Sequence, residues 1–251
     1  PHLLVMTATP IPRTLGLTLY GDLDCSVIDE LPAGRGKINT YVRTPSSRDK
    51  IIAFLKEQVS SGRQAYVIFP RVENEDPNIG IKAVKAESKR LGKEFHTHKV
   101  GILHGRLKPD EKAQVMAEFR ENRIQVLLST TVVEVGVDVP NANLMLIENA
   151  DQFGLAQLHQ LRGRIGRGEH ESYCILLTTD KPNHPNERLK VLEETNDGFK
   201  VAEADLQLRG PGELTGHDQS GLPNFLFGDL RSDLDLIQLA RNLAREIEAG
   251  S

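Results

Sequence analysis

The chain has 251 residues, 39% of them hydrophobic and 26% charged, which is enough for one large globular domain or two small ones with a proper core. With 31 basic against 35 acidic residues the formal net charge is -4, which excludes a globally basic nucleic-acid-coating protein and leaves only local contacts. Cys25 and Cys174 lie too far apart in sequence for a close-spaced metal pair or a disulfide framework. No apolar run approaches the roughly 18 residues of a membrane helix, and no leader opens the chain, so the expectation is a protein of a reducing, cytoplasmic setting with no membrane contact.

His2 to Met6 (HLLVM) reads as a buried strand that runs straight into Thr7-Ala8-Thr9-Pro10. A lone strand cannot cover both its faces, so a preceding domain is expected upstream of Pro1. Val27-Ile28-Asp29-Glu30 mimics an acidic metal-binding pair, and Gly34-Arg35-Gly36-Lys37 mimics a phosphate loop. The first turns away at Leu31-Pro32. The second has Leu31 where its first glycine should stand and Ile38 where a hydroxyl is needed, so neither is expected to bind nucleotide.

From Ile38 onward, apolar runs alternate with amphipathic segments, the pattern of a doubly wound parallel α/β sheet. Ile38 to Arg43 is a strand. Asp49 to Ser61 is a helix with Ile52, Leu55 and Val59 inward and Gly62 at its end. Ala65 to Phe69 is a strand, followed by an acidic, polar stretch from Glu73 to Gly80, in which Glu73 to Asp76 reads as a solvated loop, and a helix from Ile81 to Leu91. Val100 to Leu103 is a strand, and Pro109 opens a helix to about Glu121 with Val115 and Phe119 inward. Ile124 to Ser129, Asn143 to Ile147 and Tyr173 to Leu177 complete about six strands. Asp180 to Asn186 reads as a linker, and Glu187 to Glu194 and Val201 to Leu208 as two helices in a hairpin. A glycine-rich loop covers Arg209 to Gly221, and Asp233 to Glu248 carries an apolar stripe of Leu236, Leu239, Leu243 and Ile247 that should dock on a neighbour.

The chemistry concentrates in Gln157 to Gly168, where Arg162, Arg164 and Arg167 are interleaved with glycines. The planar guanidinium fork suits phosphoryl oxygens, and glycine permits close backbone approach. A solvated basic helix end is the alternative. Because the run follows a strand and an acidic loop, it is expected at the sheet edge where α/β folds collect ligands. Ser129 to Pro140 ends a strand in Thr130 and Thr131 and then offers Gly136 and Asp138, suiting a phosphate and a ribose; the threonines also fit a plain helix cap. His104-Gly105-Arg106 after a strand could meet a nucleic-acid phosphate. His96 and His98 lack a third metal ligand, so no metal site is assigned.

In this order the motifs resemble those of superfamily 2 helicases, and of the RecG type in particular. Thr7 to Pro10 looks like the third motif, Leu103 to Gly105 the fourth region, Ser129 to Pro140 the fifth and Gln160 to Arg167 the sixth. The resemblance implies a RecA-like second lobe over 38–183, with 1–37 the end of the first lobe and the linker between lobes. It implies a helical hairpin and translocation hook over 184–225 and a C-terminal helix over 226–251. ATP and Mg2+ would be held mainly by the first lobe of the same chain. Arg164 and Arg167 would be arginine fingers, with Gln160 on the γ-phosphate, Asp138 at the ribose and Gly136 also in the nucleotide site. Thr7 and Thr9 would couple nucleotide state to DNA grip; His104, Gly105, Thr130 and Thr131 would touch DNA phosphates, and Arg209 and Glu213 would work the hook.

The implied partners are branched double-stranded DNA and single-stranded-DNA-binding protein, and the implied work is the remodelling of stalled forks and Holliday junctions. The wording Arg209-Gly210-Pro211-Gly212-Glu213 favours this type over the transcription-repair coupling factor, which shares the hook. Intact Gln160, Arg164 and Arg167 disfavour a non-catalytic binding module. Asp218 stands where the family often has a basic residue.

Overall fold

The computed structural model describes residues 36–70, 77–130, 138–168, 170–179 and 187–209, with single positions at Leu4, Ser26, Ile28 and along 236–247. The strand expected at 2–6, Thr7, Thr9, Thr131, Gly136, Glu213, the linker 180–186 and the hook beyond Arg209 lie outside the described residues. Residues Leu31–Asn196 form one compact unit, and the described residues from Asp197 onward belong to a second.

The first unit is built on six parallel strands: β1 (Ile38–Arg43), β2 (Gln64–Phe69), β3 (Val100–Leu103), β4 (Val126–Thr130), β5 (Ala142–Ile147) and β6 (Ser172–Leu177). They lie in the order β1-β6-β5-β2-β4-β3, every pair parallel. The inner strands read as unbroken apolar runs because both their faces are covered, and all six residues of β5 are buried. One face packs Ala65, Val67, Val126, Leu144 and Ile175 against α1 (Arg48–Ser60) and α2 (Pro77–Glu94) through Leu55, Val59 and Leu91, with Phe95 just past the end of α2. The opposite face presents Tyr66, whose ring meets that of Phe119 on α3 (Pro109–Arg120) at 4.9 Å. A doubly wound parallel α/β architecture follows, as the alternation of runs predicts, and it fits the RecA-like lobe that the resemblance implies.

Local signals set the helix ends. Asp49 in the first turn of α1 favours the positive pole of the helix. Its far end closes on Gly62 at φ 93°, with Gly62 N–H donating to Val59 O and Arg63 N–H to Gln58 O, a Schellman pair. The same pair ends α3, where Asn122 at φ 57° donates to Phe119 O and Arg123 N–H to Glu118 O. That asparagine signal went unread. Pro109 occupies the first turn of α3, and Glu111 reaches back to accept the Lys108 N–H at 2.8 Å.

Two expectations need correction. Helix α2 begins at Pro77, four residues before the expected start at Ile81; a proline at a helix start outweighs the polarity of that stretch. On α3, Met116 joins Phe119 in the core while Val115 is only half-buried, because the buried stripe is rotated by one residue. Leu236, Leu239, Leu243 and Ile247 are 62%, 54%, 49% and 70% exposed.

Helices α4 (Leu155–Arg162) and α5 (Glu187–Glu194) complete the first unit, and α6 (Gly198–Arg209) belongs to the second. The open side of edge strand β1 is covered by α5: Val42 N–H donates to Glu193 Oε1 at 2.5 Å, and Asn196 Nδ2 donates to Ile38 O at 3.3 Å. Among the described residues no helix is long and apolar enough to cross a membrane.

Candidate functional site

Parallel strands give the sheet two chemically different edges, and the expected site residues divide between them. Strand β5 delivers the chain to the carboxyl edge, α4 carries it back, and the run Gly163 to Gly168 therefore lies at the amino edge, just before β6. This corrects the expected placement: one eight-residue helix reverses the direction, so the arginines open on the edge opposite to the usual ligand crevice of α/β sheets. Asp138, which precedes β5, comes to the same edge. Arg167 Nη1 donates to Asp138 Oδ1 at 3.4 Å, and its Nε to Gly163 O at 3.3 Å. Arg164 is half-buried and Gln160 is exposed on the last turn of α4.

The glycines of this run serve the fold more than a ligand. Gly166 stands at φ 76°, and a Cβ there would come within 2.7 Å of the Ile38 side chain. A Cβ on Gly168 would meet Pro140 O at 2.6 Å. The arginine turn is thus wedged between the start of β1 and the start of β5, which fixes where Arg164 and Arg167 leave the backbone.

Arg162 does not join them. It is 3% exposed, and its guanidinium donates to Thr40 Oγ1 at 3.3 Å, Leu192 O at 2.7 Å and Thr195 O at 3.0 Å, capping the carbonyl end of α5. Burial lowers its pKa and pushes the neighbouring Cys174 thiol up to about 12. No carboxylate partners this guanidinium among the described residues, so backbone dipoles carry its desolvation. A phosphate-gripping role for the first arginine of the run is therefore replaced by a structural one. Sequence reasoning missed this, because nothing local distinguishes Arg162 from Arg164; the signal is its place on the same helical face as buried Leu155 and Leu158.

The carboxyl edge holds the other group. Leu103 pairs with Ser129, so His104 and Thr130 each follow one residue past that pair on adjacent strands. Thr130 is buried, while Gly105 is exposed with open space where a Cβ would project. Lys112 Nζ donates to Gly105 O at 2.9 Å, placing an ammonium beside the turn. Arg209 is the last residue of α6. Further along the carboxyl edge, Arg48 bridges the buried Glu148 and Glu87, tying β5, α1 and α2 together. Burial raises the Glu148 pKa, an effect Arg48 opposes and the Glu87 carboxylate adds to. Among the described residues no cluster of His, Cys, Asp and Glu could hold a metal ion.

Comparison with known proteins places this geometry in context. Residues 47–169 match the family described as helicase conserved C-terminal domain, and 195–249 match ATP-dependent DNA helicase RecG, domain 3, C-terminal. The chain is 54% identical over 245 residues to the ATP-dependent DNA helicase RecG of Synechocystis sp., covering 97% of this chain and 29% of that protein. It is 50% identical over 250 residues to that of Bacillus subtilis, covering 99% and 36%. A solved structure of RecG bound to a three-way DNA junction is similar at TM-score 0.72 and 46% identity, over 92% of this chain and 30% of that one. The chain thus spans about a third of the length of the curated relatives it matches.

Proposed function

Because the chain belongs to the RecG family of ATP-dependent DNA helicases, as the C-terminal part of such a protein, we propose that it is the second motor lobe and hook of an enzyme that remodels branched DNA. Stalled replication forks and Holliday junctions are the substrates of this reading, cytoplasmic recombination and repair its setting, and single-stranded-DNA-binding protein a partner. The observation that carries it is the amino-edge cluster, where Arg167 donates to Asp138 and Arg164 leaves the same close-packed turn.

Arg164 and Arg167 act as fingers across a cleft whose other wall, with the P-loop and acidic pair, belongs to the first lobe. ATP with Mg2+, held mainly there, supplies the phosphoryl group whose transfer to water drives the motor. The fingers stabilise charge developing on that group, a role worth roughly three to five powers of ten in rate. Gln160 contacts the γ-phosphate and Asp138 the ribose, and Gly136 also serves the nucleotide site. His104, Gly105 and Thr130 at the opposite edge hold DNA phosphates, a role Thr131 shares; Thr7 and Thr9 couple nucleotide state to that grip. Arg209 and Glu213 work the hook. Opposite edges for the two ligands allow one rigid lobe to transmit closure at the nucleotide into displacement at the DNA.

Two measurements test this division of labour. The purified chain alone should neither hydrolyse ATP nor bind it tightly, and turnover above background would overturn the assignment of the nucleotide cradle to the first lobe. In the full-length helicase, Arg209→Ala should leave ATP hydrolysis intact while abolishing junction unwinding; unchanged unwinding per ATP would reduce the hook to a loop.

A further inference from the structure

Gly105 is a glycine that the fold itself does not require. It lies in a four-residue turn closed by Leu107 N–H donating to His104 O at 3.2 Å. Its backbone keeps clear of the left-handed region, and a Cβ added to it would enter open space. Any residue could therefore stand there without strain or clash. Gly166 and Gly168, by contrast, are dictated by φ or by packing. A side chain whose absence the fold does not explain leaves room for a group from outside to approach the backbone closely.

Lys112 shows what kind of group that is. It is the fourth residue of α3, and helical side chains lean toward the amino end of their helix, so it reaches back to the carboxyl edge of the sheet. There Lys112 Nζ donates to Gly105 O at 2.9 Å. An ammonium has three donors, and this bond uses one. The adjacent Glu111 is turned to the Lys108 N–H at 2.8 Å. Lys99 and Lys56 are paired with Glu118 and Glu94, but among the described residues no carboxylate pairs with Lys112. The turn thus holds an uncompensated, half-buried positive charge beside bare backbone, in a chain whose net charge is -4. A compact ammonium of this kind suits the oxygens of a phosphate.

We propose that Lys112 is a further DNA-binding residue: with Gly105 it seats one backbone phosphodiester, which lies on the open face of Gly105 and accepts a hydrogen bond from the Lys112 ammonium. Gly105 O fixes where the ammonium stands, so the contact sets position on the DNA and reads no base. This rests on the reading of the carboxyl edge as the DNA face and adds to it the residue that carries the charge.

The test is junction binding by the full-length helicase, titrated over a range of salt concentrations. Lys112→Gln keeps a hydrogen-bond donor and removes the charge. It should weaken affinity roughly threefold to tenfold and make the slope of log affinity against log salt shallower by about one, with the melting temperature unchanged. Lys112→Arg, which keeps the charge, should retain the wild-type slope. Gly105→Ala, which fills the open face, should weaken binding without lowering the melting temperature. Wild-type affinity and slope in Lys112→Gln, or a lowered melting temperature with the slope retained, would overturn the proposal and leave Lys112 as a tie within the turn. Wild-type binding in both Gly105→Ala and His104→Ala would instead remove the DNA reading of this edge beneath it.

Discussion

Arg167 and Asp138, 29 residues apart in sequence, meet at 3.4 Å at the amino edge of the sheet. Their side chains are 32% and 57% exposed, so the pair adds at most about 0.5 kcal/mol to stability, and its meaning is positional. A residue assigned to the ribose and one assigned to the γ-phosphate share one small surface. Asp138→Ala should therefore leave thermal unfolding of the chain nearly unchanged while raising the KM for ATP of the full-length enzyme by about threefold to tenfold. An unaltered KM would remove Asp138 from the nucleotide site.

Arg162 fastens the arginine-bearing helix to β1 and to the end of α5. Arg162→Ala would strand the Leu192 and Thr195 carbonyls in a dry site, at a cost of about 3 kcal/mol. For a unit of this size that corresponds to a fall of roughly 6–12 °C in melting temperature, readable by calorimetry. Arg162→Lys should recover little, since one ammonium cannot reproduce a planar fork. Wild-type melting in either variant would show that the buried guanidinium is dispensable.

Gly168 is expected to be intolerant for a reason separate from chemistry. A methyl group there meets the backbone oxygen of Pro140 at 2.6 Å, an atom that cannot swing aside. Gly168→Ala should cost about 1–3 kcal/mol and displace the turn that presents Arg167, lowering ATP turnover along with stability. Gly105→Ala, which enters open space, should leave stability unchanged. Equal melting temperatures for the two variants would contradict the close-packed turn.

Glu148 gives a pH dependence of unusual sign for a carboxylate. Burial and the nearby Glu87 raise its pKa in the folded state, so the folded chain binds more protons than the unfolded one. The stability it contributes is fully present at low pH and is lost as pH climbs from the ordinary carboxylate range through the raised folded value. Measured by denaturant unfolding, the advantage of wild type over Glu148→Gln should shrink as pH rises from the ordinary carboxylate range. An advantage that grows over that window would show that Arg48 outweighs burial.

Much of the fold was legible because β2, β4, β5 and β6 are covered on both faces, which writes them as short apolar runs, and because Gly62 and Pro109 mark helix ends directly. Asn122 closes its helix by the same geometry with a residue that looks like any polar surface side chain. The motif order disclosed Arg164, Arg167 and Asp138 as one group. It could not disclose which edge they occupy, since that depends on α4 reversing the chain, nor that Arg162 turns inward.

The central claim is that the amino-edge arginines act on the nucleotide rather than on DNA. Its most direct test is the DNA-stimulated ATPase and junction binding of full-length Arg164→Ala and Arg167→Ala, measured side by side. The account predicts that each variant loses turnover by about three powers of ten or more while junction affinity stays within about threefold of wild type. Undiminished turnover in both variants, or weakened DNA binding with hydrolysis intact, would contradict it.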